Sequence, residues 1–179
     1  MIVIDVETSG LDPKENGLLS IGAVDFENPE TKFYGECRLK EDAKIDPKAL
    51  EVNGFTEEQI RQCARSCEDL LKEFLNWSTT IKDKTLEGHN LHFDISFLKE
   101  NVKAAGLKWP FHFRCVDLHG VFYVYLLKKG ETIPLKEGVS KLDLDFIIDY
   151  FKLEKRKGAH NALQDALLTR EAFEKIVKS

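Results

Sequence analysis

Residues 1–8 read MIVIDVET, and the rest of the chain is best interpreted outward from this stretch. The apolar run from Ile2 to Val6 predicts a buried strand, with Asp5 and Glu7 two residues apart at its far end. Because side chains alternate across a strand, both carboxylates should point to the same face. Two like charges at the edge of a core are costly unless a cation lies between them, which suggests a metal site. An ordinary strand running into an acidic turn is the alternative interpretation.

Size and composition predict a single domain over residues 1–179, of which 42% are hydrophobic. No segment has the roughly 18 to 20 apolar residues needed to cross a bilayer, so we expect a soluble, cytoplasmic protein without a membrane partner. The net charge of -5 argues against a protein that holds nucleic acid mainly through a basic surface. It does not exclude a nuclease whose acids bind divalent metal ions, because those ions would offset most of this charge.

The order of the elements predicts an α/β fold. Apolar and alternating runs over 18–26 and 33–39 follow the first strand, which predicts a three-stranded antiparallel meander. Later strands at 85–89 and 114–117 alternate with helices, which implies parallel pairing. Helices are predicted from Asp46 to Asn53, near Thr56–Gln59, from Ser66, from Asp94 to Gly106, after Asp117, from Ser140 to about Phe151 and from Asn161 to about Val177, with a loop at 128–138.

Three polar side chains in the second half of the chain are further candidates for a site. Asp94 opens a helix directly after a strand, where it is either a helix cap or a ligand. Asp165 is predicted just beyond the edge of the apolar arc of the last helix, either exposed or at the border between core and solvent. His160 lies on the loop that enters this helix. Because imidazole titrates near neutral pH, it could act as a general base beside a metal-bound water.

Together, the segments DVET (5–8), HNLHFD (89–94) and HNALQDA (160–166) resemble the motifs of the DEDDh family of 3′-5′ exonucleases, the DnaQ-like branch of the ribonuclease H-like fold. The resemblance spans almost the whole chain. The spacing from His160 to Asp165 is similar to that of the histidine branch rather than the tyrosine branch. The resemblance implies a five-stranded mixed sheet, with three antiparallel strands followed by parallel strands, flanked by helices.

The resemblance also implies a chemistry and a substrate. Asp5, Glu7, Asp94 and Asp165 would hold two Mg²⁺ or Mn²⁺ ions, with Asp5 bridging them, and His160 would take a proton from the attacking water. Two such ions activate a water and stabilise the leaving 3′ oxygen of an in-line displacement. The substrate would be the 3′ end of a single strand, DNA in preference to RNA, hydrolysed to nucleoside 5′-monophosphates. Positions that match the family's contacts to the terminal nucleotide are Thr8, Leu11, His89, Asn90 and Phe93.

Other functions remain open at this point. An RNA-processing exoribonuclease of the same family has the same motifs, and a proofreading enzyme bound to a DNA polymerase subunit is not distinguished from a free repair enzyme. A phosphatase of the haloacid dehalogenase type also has an apolar strand ending in Asp-x-acid-Thr, although it carries a second Asp where this chain has Glu7. A nucleic-acid-binding module without activity is a third possibility. The oligomeric state is not predicted.

Some residues are interpreted as structural rather than functional. The basic run 155–157 is predicted to be a solvated connection rather than a phosphate contact. Trp109, Phe111 and Phe113 are predicted to pack in the core rather than stack on bases, and Phe93 fits either role. Asn53 departs from the family, whose members often have a histidine there in contact with the terminal nucleotide.

Overall fold

The computed structural model describes residues 1–179 and contains a five-stranded sheet and a separate two-stranded sheet. The large sheet has the order β3-β2-β1-β4-β5, antiparallel from β3 to β1 and parallel from β1 to β5. The predicted mixed α/β sheet is therefore confirmed. The elements are β1 (Ile2–Thr8), β2 (Leu18–Asp25), β3 (Lys32–Glu36), α1 (Pro47–Asn53), α2 (Glu57–Gln62), α3 (Cys67–Ser78), β4 (Leu86–Gly88), α4 (His92–Ala104), β5 (Cys115–Asp117), α5 (Leu118–Lys128), β6 (Leu135–Lys136), β7 (Val139–Ser140), α6 (Leu144–Phe151) and α7 (Ala162–Val177).

One face of the large sheet holds the main hydrophobic core. Ile2, Ile4 and Val6 are buried there, together with Phe74 of α3 and Phe97 of α4. Each such side chain stabilises the fold by about 1.5–3 kcal/mol relative to an exposed one. Since a slip of one residue would turn this whole set to the other face, the core fixes the register of β1 and thereby the direction of its acids.

The opposite face of the sheet is covered by α7. Val3 of β1 packs there with Val24 of β2 and Ala166 of α7. Glu87 of β4 pairs with Val3 in the parallel ladder and is completely buried, with no hydrogen-bond partner for either carboxylate oxygen. Burial raises the pKa of Glu87 to about 8. A second apolar cluster, which includes Phe122, joins α5, α6 and α7 beside this layer.

The segment after α5 differs from the prediction. Residues 128–138 were expected to form a loop, but β6 and β7 pair there around a tight turn in which Glu137 and Gly138 both have positive φ. Positive φ at both central residues is typical of a two-residue hairpin. Ser140 was expected to cap the next helix and instead lies in β7. The cap is Asp143, whose carboxylate accepts a hydrogen bond from the Phe146 amide at 2.8 Å.

The aromatic residues that precede β5 divide into two groups. Trp109 and Phe111 pack against the main core, as predicted. The prediction for Phe113 is wrong, since its side chain is 76% exposed and lies against His112 and Arg114. The alternation of aromatic residues at 109, 111 and 113 did not show that the chain leaves the core after Phe111. None of the helices combines the length and the apolar character that a membrane span requires.

Candidate active site

Asp5 and Glu7 lie on the face of β1 that packs against α7. In the antiparallel ladder Asp5 is opposite Gly22 and Glu7 is opposite Ser20, so these four residues share one face of the sheet. Asp5 is half-buried and Glu7 is only 8% exposed. The alternation along residues 2–8 therefore places both carboxylates side by side beneath the first turns of the last helix.

Gly22 allows α7 to lie directly on the sheet beside these acids. A β-carbon at residue 22 would lie 2.1 Å from the carbonyl carbon of Ala162 and 2.1 Å from the nitrogen of Leu163. No side chain fits in that space, so the start of α7 can approach β2 only because residue 22 is glycine. The first turn of α7 is consequently held within reach of Asp5.

Asp165 lies one turn further along α7 and is more deeply buried than predicted. Asp165 is 3% exposed and lies on the same helix face as Ala162 and Ala166. It was expected just beyond the apolar edge of the helix. Because the small alanines let the helix lie close to the sheet, the buried arc is wide enough to include Asp165.

Asp94 reaches the same place from the opposite side of the sheet. It is 3% exposed and sits in the first turn of α4, which begins at His92 without a side-chain cap. One carboxylate oxygen, Oδ1, accepts a hydrogen bond from the Val6 amide at 2.9 Å. Asp94 is therefore fixed to the strand that carries Asp5 and Glu7, rather than acting as a cap.

His160 and Asp165 are in contact across the entry to α7. The His160 Nδ1 atom lies 3.3 Å from Asp165 Oδ2, and the side chain of His160 is 38% exposed. The His160 amide also donates a hydrogen bond to the Val52 carbonyl at 3.0 Å, which ties this loop to α1. An imidazole held through Nδ1 keeps Nε2 free to accept a proton.

Arg156 also contacts Asp165, which the sequence analysis did not predict. Its Nε donates to Asp165 Oδ1 at 2.5 Å, and its guanidinium group also pairs with Asp145. With 9% of its side chain exposed, Arg156 is not part of a solvated connection, so that prediction is wrong for this residue. It holds for Lys155 and Lys157, which are exposed and paired with Asp149 and Glu154.

The acids of the cluster destabilise one another as anions. Burial, and then the charges of Asp94, Glu7 and Asp165, raise the pKa of Asp5 well above its usual range. Burial and the charge of Asp165 raise the pKa of Glu7 to about 8, with partial opposition from Arg156. Burial also raises the pKa of Asp94. Such a group of carboxylates is best satisfied by added positive charge.

An open cavity of about 540 Å³ connects these side chains. All five predicted catalytic residues line it: Asp5, Glu7, Asp94, His160 and Asp165. Four of the five residues predicted to contact the nucleotide line it as well: Leu11, His89, Asn90 and Phe93. Leu11 is 77% exposed, and Phe93 is half-buried against the core. An exposed aliphatic side chain and an aromatic ring beside a carboxylate cluster suit the faces of a nucleoside.

Thr8 and Asn53 support the wall of this cavity from outside its lining. The Thr8 hydroxyl donates to the Gly10 carbonyl at 2.6 Å, which orders the turn before Leu11. Asn53 is buried, donates through Nδ2 to the Thr8 carbonyl at 3.1 Å, and accepts from the Phe55 amide at 3.2 Å. Asn53 therefore holds the end of β1 in place, and both ends of its amide are already bonded.

His89 and Asn90 form the border between the cavity and the β6–β7 hairpin. His89 Nε2 donates to the Leu142 carbonyl at 2.8 Å, so this ring nitrogen fixes the segment after the hairpin. Asn90 has a positive φ of 53°. The two oxygens of Asp117 accept hydrogen bonds from the amides of Asn90 at 3.2 Å and Leu91 at 2.8 Å. The sequence around Asn90 did not predict this support from Asp117 at the end of β5.

Comparison with known proteins identifies relatives with the same fold. The PolC-type DNA polymerase III of Thermotoga maritima is 29% identical over 181 aligned residues, which cover 99% of this chain and 12% of the polymerase. The chain thus spans about an eighth of that relative. The nuclease domain of 3′hExo, a DEDDh family member bound to rAMP, superposes with a TM-score of 0.76 at 14% identity, covering 99% of this chain and 90% of the domain. The zinc-bound complex of E. coli exonuclease I with single-stranded DNA gives a TM-score of 0.77 at 20% identity, covering 99% of this chain and 40% of that enzyme.

These structures establish the ribonuclease H-like fold that the sequence motifs predicted. The family model for the exonucleases named RNase_T matches residues 2–173. Because this match spans almost the whole chain, the protein belongs to the RNase_T exonuclease family, and the predicted resemblance to DEDDh exonucleases is confirmed.

Proposed function

We propose that the chain is a metal-dependent 3′-5′ exonuclease that hydrolyses single-stranded nucleic acid, with DNA as the preferred substrate, to nucleoside 5′-monophosphates. The observation that carries the proposal is the meeting of four carboxylates and His160 in one open cavity. A cavity with that donor set can accept a chain end, a water and positive ions at once. We propose that residues 1–179 act as one exonuclease domain in the cytoplasm.

The side chains fit divalent metal ions. Glu7 Oε1 is buried without a hydrogen-bond partner, and the negative charge of Asp165 acts on this carboxylate with only partial compensation from Arg156. Carboxylate oxygens with open positions suit Mg²⁺ or Mn²⁺, and Asp5, Glu7, Asp94 and Asp165 would hold two of them. When bound, such ions lower the pKa of water and stabilise charge on the leaving 3′ oxygen.

His160 is proposed to accept the proton of the attacking water. Asp165 lies against Nδ1 and leaves Nε2 free to accept this proton, and the exposed part of the ring gives water access. A second role is also consistent with its position, because ligand atoms of Glu7, His160 and Asp165 all lie within 4.8 Å of one another. Imidazole is a good ligand for zinc, so zinc would engage His160 and remove it as a base.

The terminal nucleotide is proposed to lie between Leu11 and Phe93, with Asn90 at the edge of the cavity. The preference for DNA is supported by the PolC relative and by the exonuclease I complex, whose ligand is single-stranded DNA. The 3′hExo domain bound to rAMP supports RNA as the second candidate. The PolC relative further supports a proofreading role beside a DNA polymerase, for which a mispaired 3′ end should be removed faster than a paired one.

The test is degradation of matched 5′-labelled DNA and RNA strands with Mg²⁺, Mn²⁺, Zn²⁺ or chelator. We expect a ladder that shortens from the 3′ end with Mg²⁺ or Mn²⁺, faster on DNA, and no product in chelator or from Asp5→Asn. His160→Gln should lower kcat by about 10²–10⁴-fold with little change in KM, as expected for loss of a general base. Near-normal turnover by Asp5→Asn would refute the site. Binding of both strands without cleavage under any metal would instead indicate a binding module.

A further inference from the structure

Two smaller cavities adjoin the catalytic cavity, and each shares one lining residue with it. The first has a volume of about 420 Å³, shares His160 with the catalytic cavity, and is lined by residues that include Asp145, Lys155 and Arg156. The second has a volume of about 410 Å³ and shares Asn90 with the catalytic cavity. We call the second one the hairpin groove; its lining includes Asn90, His119, Lys136, Val139, Lys141 and Asp143. A strand whose 3′ end lies in the catalytic cavity must leave it over one of its borders.

The cations of the first cavity are already neutralised. Lys155 lies 2.8 Å from Asp149, and Arg156 is shared between Asp145 and Asp165. A phosphate placed there would have to compete with carboxylates that are part of the fold. This side therefore offers little attraction for a polyanion.

The hairpin groove has the opposite character. Lys136 and Lys141 are both exposed, and neither forms an ion pair or a side-chain hydrogen bond within the chain. The one acid of the lining is Asp143, which caps α6 by accepting from the Phe146 amide. Within the lining, two free ammonium groups face one capping carboxylate, so the lining carries a net positive charge.

The hairpin also places an aliphatic surface beside one of these cations. Lys136 and Val139 are paired across the turn and thus lie on the same face of the hairpin, and Val139 is 68% exposed. An ammonium group next to an exposed apolar side chain can contact a phosphate and the face of its neighbouring base together.

The groove is built on fixed supports rather than on a free loop. His119 Nε2 is 2.7 Å from the Ser140 hydroxyl, and His89 Nε2 is 2.8 Å from the Leu142 carbonyl. His89, directly after β4, and His119, in the first turn of α5, thus anchor the chain on both sides of Lys141. The backbone of Lys141 is consequently held at the border of the catalytic cavity.

We propose that the hairpin groove binds the phosphates of the strand immediately 5′ to the nucleotide that is removed, through Lys136 and Lys141. The proposal rests on the exonuclease function proposed above and assigns the path of its substrate. The contact is to phosphates, so it should act on DNA and RNA alike.

The experiment compares Lys136→Gln/Lys141→Gln with a charge-matched control, Lys155→Gln/Lys157→Gln, on two substrates. The p-nitrophenyl ester of thymidine 5′-monophosphate reaches only the catalytic cavity, whereas dT10 also extends beyond it. Loss of two phosphate contacts should reduce the slope of log(kcat/KM) for dT10 against log[salt] by about 1.4. If the salt dependences of the hairpin variant and wild type converge near 1 M salt, the KM of the variant for dT10 should exceed the wild-type KM by up to about 25-fold at 0.1 M salt. Hydrolysis of the ester should not change.

Anisotropy of 5′-fluorescein dT10 in chelator provides a measurement that does not depend on turnover. We expect weaker binding and a reduced salt slope for the hairpin variant and wild-type values for the control. An unchanged salt slope, an equal effect of the control variant, or an equal loss on the ester would overturn the groove proposal. If wild-type protein hydrolyses neither substrate, the proposed function fails, while the anisotropy comparison still decides the groove.

Discussion

Gly22→Ala tests whether the close approach of α7 to the sheet creates the site. The new β-carbon would lie 2.1 Å from the Ala162 carbonyl carbon, whereas ordinary contacts begin near 3.4 Å, so the start of α7 must retreat by roughly 1.3 Å. Overpacking of this kind typically costs about 1–3 kcal/mol of stability, which leaves most domains folded. Because His160 and Asp165 move with this turn, turnover should fall by about 10²-fold, as expected for a misplacement near 1 Å.

The assay is Mn²⁺-dependent degradation of a 5′-labelled strand, together with denaturant unfolding of the same samples. Gly120→Ala is the matched control, since a β-carbon on that α5 residue would meet no atom within 4 Å beyond its own stretch of helix. The control should keep full activity and gain up to about 1 kcal/mol from better helix propensity. Activity of Gly22→Ala within about threefold of wild type, at unchanged stability, would refute the reasoning.

Two further predictions concern buried charge. Burial raises the pKa of Glu87 from its ordinary value of 4.5 to about 8, so the folded state binds the proton of this carboxyl more tightly than the unfolded state does. Glu87 therefore lowers the free energy of unfolding increasingly as the pH rises from 4.5 to about 8. Glu87→Gln should therefore be more stable than wild type at pH 8, by on the order of 2–4 kcal/mol, with a smaller gain at pH 5. Free energies of unfolding that change with pH in parallel for the variant and wild type would contradict this. Glu57→Gln, at an exposed position, is the control. Saturating Mn²⁺ should raise the free energy of unfolding by about 2.7 kcal/mol at one hundred times its dissociation constant. Thermal shift should show this gain in wild type and its loss in chelator or in Asp5→Asn, and activity without any thermal shift would count against the carboxylate cluster as the metal site.

The fold was largely predictable because short-range patterns determine it. The apolar residues of 2–8 alternate with the two acids, and this alone places Asp5 and Glu7 on one face of a buried strand. The change from short alternating strands to strands separated by helices predicted the change from antiparallel to parallel pairing. These signals lie within a few residues of one another and need no knowledge of tertiary contacts.

What the sequence did not reveal depends on contacts between distant residues. The burial of Asp165 follows from the absence of a side chain at Gly22, 143 positions earlier in the chain. Arg156 looked like one of three solvated cations because its acidic partners, Asp145 and Asp165, lie on the two helices that flank its connection, and only the packing of those helices brings them together. The β6–β7 hairpin has two-residue strands, which are too short to show an alternation.

The ion pair between Arg156 and Asp165 affects the stability of the acidic cluster in the absence of metal ions. Asp165 belongs to a group of mutually repulsive carboxylates and already has a counterion within the chain, which lowers the electrostatic cost of folding without bound metal. A metal ion bound at Asp165, as proposed above, would either share this carboxylate with the Arg156 guanidinium group or replace that group. Metal binding there would then be coupled to the position of Arg156, and through it to the connection between α6 and α7.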